Sequence, residues 1–402
     1  MRPAAPSIHW PLHKSGSKLT QRRSTAVIGI GQSDWRGDWN RSRAGEVPDD
    51  SYGYGATAFR AALADAGIAR DQIDGLISGP ATAYERMGEV LGLNVRWGGQ
   101  SDTVGSILQA VMAIETGMAE VVAMVFGLNQ RTAKVQYGGP QAMGGDNFLS
   151  YVYHAPWGMT SQGALYALTQ RRFNEMRGYT ERDLGEVAVA QRAWASLNPA
   201  AIMQKPISLD DYLASPYVVE PLRLFDYCLI NDGGVAMIIA EASLAKRLCR
   251  HPVYIDTVGR CDLNKGATSL EPRLEHFYEP AQAEVARQIF DGSGFGPKDV
   301  DLLQVYDSFS SHVPLALEGY GYCRPGEAGQ FFREVGIGPG GKLPINSSGG
   351  HLSESYMRGW NHQLESVRQL RGSCGKRQIE NCQLVHYTSD VAGKAVSILY
   401  AK

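Results

Sequence analysis

Short apolar runs alternate with segments of helical periodicity from residue 25 onward. The run TAVIGIG predicts a buried strand, the segment ATAFRAALADAG places its apolar residues at helical spacing, and QIDGLISG predicts a second strand. The alternation continues through the apolar helix TVGSILQAVMAIETG to the strand EVVAMVFG. Strands that alternate with helices indicate an α/β fold in which helices cover a mostly parallel sheet.

The second part of the chain repeats a unit of the first part. A constant offset of 227 residues aligns AFRAALADAGIARDQIDGLISG with VARQIFDGSGFGPKDVDLLQVYD, and it pairs Gly67 with Gly294 and Asp74 with Asp301. A helix, a glycine that ends it and a strand recur in the same order, which indicates a duplication. We therefore predict two similar halves, each with a mostly parallel sheet covered by helices.

Three regions are predicted along the chain. Residues 1–24 carry arginines and lysines, no acid and several prolines, a composition typical of a disordered basic extension. Residues 25–262 form the first half of the folded protein, and residues 263–402 form the second half. Within the first half, the segment 128–158 is rich in Gly, Pro and Tyr without periodicity, so it is either a lid or a surface for a partner.

Charge and cysteine content exclude several classes of protein. The chain has 39 basic and 41 acidic side chains, so it offers no broad charged surface to nucleic acid or to an anionic membrane. Its six cysteines are dispersed and lack the spacing of a zinc site, which indicates reduced thiols and a cytoplasmic protein. No apolar run reaches the length of about 18 to 20 residues that crosses a bilayer, so we predict no membrane span.

Two short motifs are better explained by structure than by chemistry. The segment GIGPGGKL fits the phosphate-binding pattern GxxxxGK, but Leu343 and Pro344 follow where a Ser or Thr and a helix are required. Cys228 lies in an apolar run without a basic neighbour, so a buried small side chain is favoured over a nucleophile. Asn231 and the adjacent aspartate and glycines are typical of a turn.

Two tyrosines lie where a predicted strand or turn ends, Tyr306 in QVYDSFSSH and Tyr356 in LPINSSGGHLSESYMRG. A lone tyrosine is most often a packing residue, so further support is needed. Together with LRLFDYCLINDGGVAMIIAE, SDVAGKAVSILY and the duplicated halves, these segments resemble the thiolase superfamily. The resemblance is to its lipid-transfer-protein branch, which contains the peroxisomal sterol-carrier-protein thiolases, and it extends from Thr25 to Lys402. It implies a thiolase-like fold.

The sequence departs from that family at each catalytic position. Asp102, in SDTVGS, stands where thiolases have the nucleophilic cysteine, and an aspartate cannot form the thioester intermediate. Tyr306 and Tyr356 stand where thiolases have two histidines, and YTSDVAG has no counterpart of their late catalytic cysteine. The pattern is similar to the thiolase-like aldolases of steroid side-chain degradation, which carry a tyrosine at both positions.

This resemblance implies retro-aldol cleavage of a bulky, steroid-like or aromatic β-hydroxyacyl-CoA to a ketone or aldehyde and a shorter acyl-CoA, without an acyl-enzyme. The reaction needs a base for the β-hydroxyl proton, an acid for the α-carbon and donors for the thioester oxygen. A phenol can serve as base and as acid if its surroundings adjust its pKa. The resemblance implies that Tyr306 and Tyr356 act as a pair, while the assignment of base and acid stays open.

Four further side chains are predicted to line this site: Asp102, Asp307, His351 and Glu354. Asp102 directly precedes an apolar helix and is equally well explained as its N-cap. Ser353 and Glu354 lie near the start of a predicted helix, where they either tune Tyr356 or cap the helix.

Two other functions stay open on the sequence. One is a thiolase-type acyltransferase with a different nucleophile, for which Cys323 after GYGY is the candidate, and the other is a non-catalytic scaffold subunit. The resemblance also implies a homodimer core and a small partner subunit with zinc-ribbon and OB-fold domains. We expect an acyl-CoA as the substrate, and neither a permanently bound cofactor nor a metal ion.

Overall fold

The computed structural model of the protein describes residues 21–46, 49–101, 105–135, 154–263, 275–391 and 394–402. The strands in this part of the chain are β1 (Thr25–Gln32), β2 (Gly75–Ser78), β3 (Trp97–Gln100), β4 (Val121–Asn129), β5 (Tyr217–Val219), β6 (Leu222–Arg223), β7 (Asp232–Glu241), β8 (Val253–Asp262), β9 (Leu302–Val305), β10 (Leu384–Val391) and β11 (Lys394–Ala401). Nine of them form one sheet in the order β3-β2-β4-β7-β1-β8-β11-β10-β9, and β5 pairs with β6.

Helices cover both faces of this sheet. They are α1 (Trp35–Arg43), α2 (Ser51–Ala66), α3 (Tyr84–Leu91), α4 (Ser106–Glu115), α5 (Gln162–Arg177), α6 (Glu181–Ser196), α7 (Leu209–Ala214), α8 (Ala242–Leu248), α9 (Glu279–Ser293), α10 (His312–Gly319), α11 (Ala328–Glu334), α12 (Gly350–Ser353) and α13 (Trp360–Arg371). In β1, Ala26 and Ile28 pack with the residues of α2, whereas Val27 packs with those of α4 and α13. Burial on both faces explains the continuous apolar runs, and the α/β class is confirmed.

The internal repeat is present in the structure. Gly67 and Gly294 end α2 and α9 in the left-handed conformation, with φ of 66° and 80°. The Asp74 carboxylate accepts backbone hydrogen bonds from the start of β4, and the Asp301 carboxylate accepts them from the start of β10. The two aspartates therefore fix equivalent parallel pairs of strands, β2 with β4 and β9 with β10.

Strand directions in the centre of the sheet differ from the mostly parallel arrangement expected from the sequence. The parallel pairings are β2 with β3, β2 with β4 and β9 with β10, and they lie toward the two ends of the sheet. The central pairings, from β4–β7 through β10–β11, are antiparallel. Only residues 392–393 join β10 to β11, and so short a connection cannot cross over to a parallel neighbour.

β8 joins the sheet of the first half to that of the second. It pairs with β1 over three residues and with β11 over eight. The boundary predicted after residue 262 coincides with the end of β8 and stays a prediction.

The end of the predicted basic extension contacts the sheet. Arg22 and Arg23 both bind the buried Asp256 carboxylate of β8, with nitrogen–oxygen distances of 2.8 and 2.7 Å. Residues 1–20 of the extension and residues 136–153 of the predicted loop 128–158 lie outside the described residues. Within the described ranges, no helix combines the length and the apolar character needed to cross a bilayer.

Helix α13, called the central helix below, lies against strands of both halves and carries buried polar side chains. Glu365 is fully buried and binds Arg377, with Nη2 2.9 Å from Oε2. Burial alone would raise the pKa of Glu365, but the charge and hydrogen bonds of Arg377 bring it below its usual value. Ser347 Oγ donates to the same carboxylate (2.9 Å), so Glu365 ties the turn that precedes α12 to the central helix.

β9 is the last strand of the sheet, and the Asn346 side chain supplies hydrogen-bond partners to one backbone residue at its free edge. Its side-chain Oδ1 accepts the backbone N–H of Val305 (2.7 Å), and its Nδ2 donates to the carbonyl oxygen of the same residue (3.0 Å). Asn346 itself has a φ of 51°, a left-handed conformation that asparagine adopts more readily than most residues. The amide therefore takes the place of a neighbouring strand at the residue before Tyr306.

We predict that Asn346→Ala lowers the free energy of unfolding by about 2 to 3 kcal/mol, because it leaves two buried backbone groups without a partner. Urea denaturation measures this change. Asn381 also has a positive φ (54°) but is exposed, so Asn381→Ala is the matched control and is expected to cost less than about 1 kcal/mol. Equal losses in both variants would contradict the role given to the Asn346 amide.

Candidate active site

Tyr306 and Tyr356 meet at one end of the sheet. Tyr306 directly follows β9, and its backbone N–H donates to the carbonyl oxygen of Thr388 in β10 (2.8 Å). Tyr356 lies between α12 and α13. The two hydroxyl oxygens are 2.9 Å apart, which is a hydrogen-bond distance. The structure thus brings together the two tyrosines that the sequence analysis paired.

Asn231 holds the backbone of Tyr356. Its Oδ1 accepts the N–H of Tyr356 (2.7 Å), and its Nδ2 donates to Ser355 Oγ (3.0 Å). Asn231 is fully buried at the start of β7. The sequence around Asn231 predicts only a turn, because nothing local in it indicates a contact with a residue so far along the chain.

Asp307 holds the turn that leads to Tyr356. Its fully buried carboxylate accepts the backbone N–H of His351 (2.9 Å) and lies 2.7 Å from Nε2 of His362 in α13. Gly350 has a φ of 58°, and a Cβ there would collide with the Asp307 carboxylate, so this turn requires glycine. Asp307 therefore joins the end of β9 to α12 and to the central helix.

His351 packs against both phenol rings. Its ring centroid lies 4.6 Å from that of Tyr306 and 4.9 Å from that of Tyr356. Its Nε2 lies 2.9 Å from the backbone nitrogen of Gly359 and 3.0 Å from Oδ1 of Asn361, and its Nδ1 lies 3.5 Å from Asp307. Burial lowers the pKa of His351 well below its usual value, which favours the neutral imidazole.

Among the described residues, Asp307, His351 and His362 form a group that could hold a metal ion. Their potential ligand atoms lie within 4.8 Å of one another, and carboxylate and imidazole are common ligands of transition metals. The carboxylate, however, already accepts the backbone and imidazole hydrogen bonds described above. We interpret the three residues as a hydrogen-bonded cluster behind the tyrosines.

Glu354 points away from the tyrosine hydroxyls. Its buried carboxylate accepts hydrogen bonds from Asn198 Nδ2 (3.0 Å) and Asn361 Nδ2 (3.1 Å). Ser353 Oγ accepts from Arg192 Nε, and the N-cap of α12 is Gly349, so neither Ser353 nor Glu354 is the N-cap of that helix. Asp102 lies outside the described residues, and its place in the site stays a prediction.

A cavity of about 260 Å³ opens onto one of the two tyrosines. Its wall contains Tyr356, Cys228 and Ser308 beside a larger set of mainly apolar side chains: Val218, Val219, Tyr227, Leu229, Ile230 and Phe309, with Gln130 and residues 161–163. Asp307, His351 and Glu354 are not among the residues of this wall, and their role in the site stays a prediction. An apolar cavity with few polar groups is typical of a binding site for a small ligand.

The two tyrosines differ in their access to this cavity. Tyr356 is half-buried and lines the cavity, whereas Tyr306 is 2% exposed and lies behind it. Burial raises the pKa of both phenols. Their mutual hydrogen bond raises the pKa of Tyr306 further and lowers that of Tyr356. Tyr356 is therefore the phenol of the pair that a ligand in the cavity can reach.

Arg358 brings positive charge to the pair. Its charge lowers the pKa of both Tyr306 and Tyr356, against the larger effect of their burial. Arg358 has a φ of 50°, an uncommon conformation for a residue other than glycine, and such residues are concentrated at functional sites. The tight turn thus carries a cation to the phenols.

The cysteines are poorly suited to nucleophilic attack. Burial raises the pKa of Cys228, the thiol in the cavity wall, to about 12. Burial likewise raises the pKa of Cys323, the candidate of the acyltransferase hypothesis, to about 12. Cys323 is not part of the cavity wall. Both thiols are protonated at neutral pH, and the thiol form is a weak nucleophile.

Comparison with known proteins gives relatives over almost the whole chain. Residues 269–402 match the family described as Thiolase C-terminal domain-like. The 17-hydroxy-3-oxo-4-pregnene-20-carboxyl-CoA lyase of Mycobacterium tuberculosis is 34% identical over 369 residues, which cover 87% of this chain and 92% of the relative. The steroid side-chain-cleaving aldolase of Thermomonospora curvata is 32% identical over 370 residues, which cover 87% of this chain and 91% of the relative.

A solved structure described as Ltp2-ChsH2(DUF35) aldolase has the same fold. It is similar over 95% of this chain and 98% of that chain, with a TM-score of 0.85 and 28% sequence identity. This similarity and the family match confirm the thiolase-like fold that the sequence motifs implied.

We predict that neither Cys228 nor Cys323 becomes acylated by an acyl-CoA at pH 7.5, because both thiols are protonated. Intact-mass spectrometry after incubation is expected to show an unchanged mass. Alkylation of the denatured protein is the control and should modify all six free cysteines. An acyl adduct on Cys228 or Cys323 would favour the acyltransferase hypothesis instead.

Proposed function

The chain belongs to the thiolase superfamily, in the branch of the steroid side-chain-cleaving aldolases, and from this membership we propose that it is a carbon–carbon lyase. Its reaction is the retro-aldol cleavage of a β-hydroxyacyl-CoA to a ketone or aldehyde and a shorter acyl-CoA. The observation that carries the proposal is the hydrogen-bonded tyrosine pair at an apolar cavity. Retro-aldol cleavage requires proton transfer and no covalent nucleophile, which agrees with a pair of phenols beside protonated thiols.

Tyr356 is the base in this proposal because it lines the cavity. Its phenolate takes the proton of the β-hydroxyl, the bond between the α- and β-carbons breaks, and the β-carbon becomes a carbonyl. The electron pair of that bond moves onto the thioester, which becomes an enolate. Tyr356 then returns the proton to the α-carbon, so the reaction consumes no external proton and regenerates the phenolate.

Tyr306 and Arg358 assist without contacting the substrate. Tyr306 donates its hydroxyl hydrogen to the Tyr356 oxygen, which stabilises the phenolate before the proton is taken. The charge of Arg358 acts in the same direction. Because the surroundings are largely apolar, these interactions are stronger than they would be in water.

The cavity favours a bulky apolar acyl group. Val218 and Ile230 in the wall are 51% and 38% exposed, and the neighbouring Leu224 is 51% exposed. These side chains extend the apolar surface from the cavity toward solvent, where a ring system larger than the cavity would rest. The names of the two relatives indicate steroid substrates for those proteins, and we propose a steroid-type β-hydroxyacyl-CoA for this one.

A small partner subunit is part of the proposal. The similar aldolase structure has a name that pairs it with a DUF35 protein, in keeping with the zinc-ribbon and OB-fold partner implied by the sequence resemblance. Trp157, at the end of the segment 128–158, is 88% exposed. An indole so exposed favours a partner surface over a lid for this segment. The homodimer core and the cytoplasmic location stay predictions.

Tyr356→Phe is expected to lower kcat for a steroid-type β-hydroxyacyl-CoA by about 10²- to 10⁴-fold, because it removes the base. Tyr306→Phe is expected to lower kcat less. Since the Tyr306 hydrogen bond lowers the pKa of Tyr356, its loss should move the rising limb of the kcat–pH profile to higher pH. A steady-state assay of ketone release between pH 6 and 10 measures both effects.

The matched control for these variants is Tyr400→Phe. The Tyr400 hydroxyl is buried and donates to Gln363 in the core (2.8 Å), so its removal should leave kcat unchanged. Wild-type turnover in both Tyr306→Phe and Tyr356→Phe would refute the tyrosine mechanism.

We also predict that Trp157→Ser reduces copurification with a coexpressed DUF35 protein from the same genome, because it removes the most exposed aromatic side chain among the described residues. Met176 is 38% exposed near the far end of α5, so Met176→Ser is the control and should retain the partner. A pull-down with a tag on the small partner gives the ratio of the two chains. Full recovery of Trp157→Ser would show that the partner binds elsewhere.

A further inference from the structure

Ser308 and His312 form a hydrogen-bonded pair that the mechanism above does not use. Ser308 lies in the cavity wall together with Tyr356, and its Oγ is 3.0 Å from Nε2 of His312 at the start of α10. The carbonyl oxygen of Ser308 accepts the backbone N–H of Cys228 (3.1 Å), another residue of this wall. The Ser308 hydroxyl is therefore held at the same cavity as the proposed base.

The surroundings of His312 determine the direction of this hydrogen bond. The imidazole is fully buried between aromatic rings, with ring centroids 4.8 Å from Tyr166 and 6.2 Å from Tyr306. Burial lowers the pKa of His312 to about 3, so the ring is neutral in the range where the enzyme would operate. A neutral ring has one N–H and one acceptor nitrogen.

The proton of this neutral ring belongs on Nε2. Among the described residues Nδ1 of His312 has no hydrogen-bond partner, and a buried N–H without an acceptor is rarer in proteins than a buried acceptor without a donor. With the proton on Nε2, His312 donates to Ser308 Oγ. The hydroxyl hydrogen of Ser308 is then left to donate to a group other than His312, and Ser308 is a residue of the cavity wall.

Retro-aldol cleavage leaves negative charge on the thioester oxygen, and a donor must face that oxygen. Tyr306 and Tyr356 are hydrogen-bonded to each other, and Tyr356 also carries the proton taken from the β-hydroxyl. Ser161, also in the wall, already accepts a hydrogen bond from the N–H of Ala164 as the N-cap of α5. The Ser308 hydroxyl is thus a neutral donor in the cavity wall, beside the Tyr227 hydroxyl and the Gln130 and Gln162 amides, and it is the one that a buried imidazole holds in place.

We propose that the Ser308 hydroxyl donates a hydrogen bond to the thioester oxygen as the enolate forms, and that His312 is the positioning residue that directs this hydroxyl into the cavity. The inference rests on the proposed lyase function and adds a catalytic residue to it. The hydrogen bond moves no proton: the electron pair of the broken carbon–carbon bond becomes the enolate, Ser308 stabilises its oxygen, and Tyr356 protonates its α-carbon.

The test uses Ser308→Ala and Ser308→Thr in the full-length protein with its small partner. Ser308→Ala is expected to lower kcat by about 10²- to 10³-fold with a KM within a few-fold of wild type, because the donor acts on the charge that develops during cleavage. Ser308→Thr keeps a hydroxyl and should recover most of this loss. Ser311→Ala is the matched control, since Ser311 is also buried, caps α10 without a side-chain hydrogen bond, and is not part of the cavity wall.

A second readout isolates the enolate. The exchange of α-hydrogens of the product acyl-CoA with D2O requires the enolate but neither the β-hydroxyl nor the carbon–carbon bond, and NMR measures its rate. Ser308→Ala should slow this exchange by about as much as it slows cleavage. Wild-type cleavage and exchange in Ser308→Ala would overturn the inference and leave the lyase proposal intact.

His312→Phe tests the positioning role, because phenylalanine keeps the aromatic packing and removes the hydrogen bond to Ser308. Its kcat should fall by about 10-fold, and the double variant with Ser308→Ala should be no slower than Ser308→Ala alone, since the two residues act as one unit. Additive losses would overturn the positioning role.

The outcomes for the lyase proposal and for this inference are distinct. No cleavage by the wild-type complex would refute the lyase proposal, while exchange lost only in the Ser308 and His312 variants would still support the role of that pair.

Discussion

The carboxylate of Asp307 is the contact on which the arrangement of this site depends. It stands one residue after Tyr306, accepts the backbone N–H of His351 and bonds to His362 in the central helix. Fifty residues of chain separate Tyr306 from Tyr356, and no local structure could keep their hydroxyls 2.9 Å apart. One buried acceptor fixes the end of β9, the glycine turn and α13 together, and both phenols take their orientation from that junction.

The parts of the fold that follow from local periodicity could be predicted from the sequence. The repeated helix, its glycine stop and the following strand appear where the offset between Gly67 and Gly294 put them, because each is determined by a few adjacent residues. Strand directions could not be predicted in the same way, since an apolar run buried on both faces is compatible with either direction. The tyrosine positions came from a resemblance of motifs and not from periodicity.

Contacts between distant segments could not be predicted from the sequence. Asn231 binds the backbone of Tyr356 across 125 residues, and asparagine before Asp-Gly-Gly is equally typical of an ordinary turn. Glu354 fits both a helix cap and a site residue by its position, yet Asn198 and Asn361 bind its carboxylate. Ser308 and His312 are four residues apart, but only the shape of the cavity shows which of them faces a ligand.

The duplicated frame has a consequence for how substitutions act on the two copies. The offset that relates Gly67 to Gly294 puts Gly79 at the position of Tyr306 and Pro80 at that of Asp307. A Cβ at Gly79 would collide with Phe126, so the strand end of the first copy is filled by packing and leaves no room for a reactive side chain. The first copy contributes packing at this position, and the second contributes the Tyr306 side chain to the candidate active site. Substitutions at this strand end therefore act on packing in the first copy and on the chemistry of the site in the second.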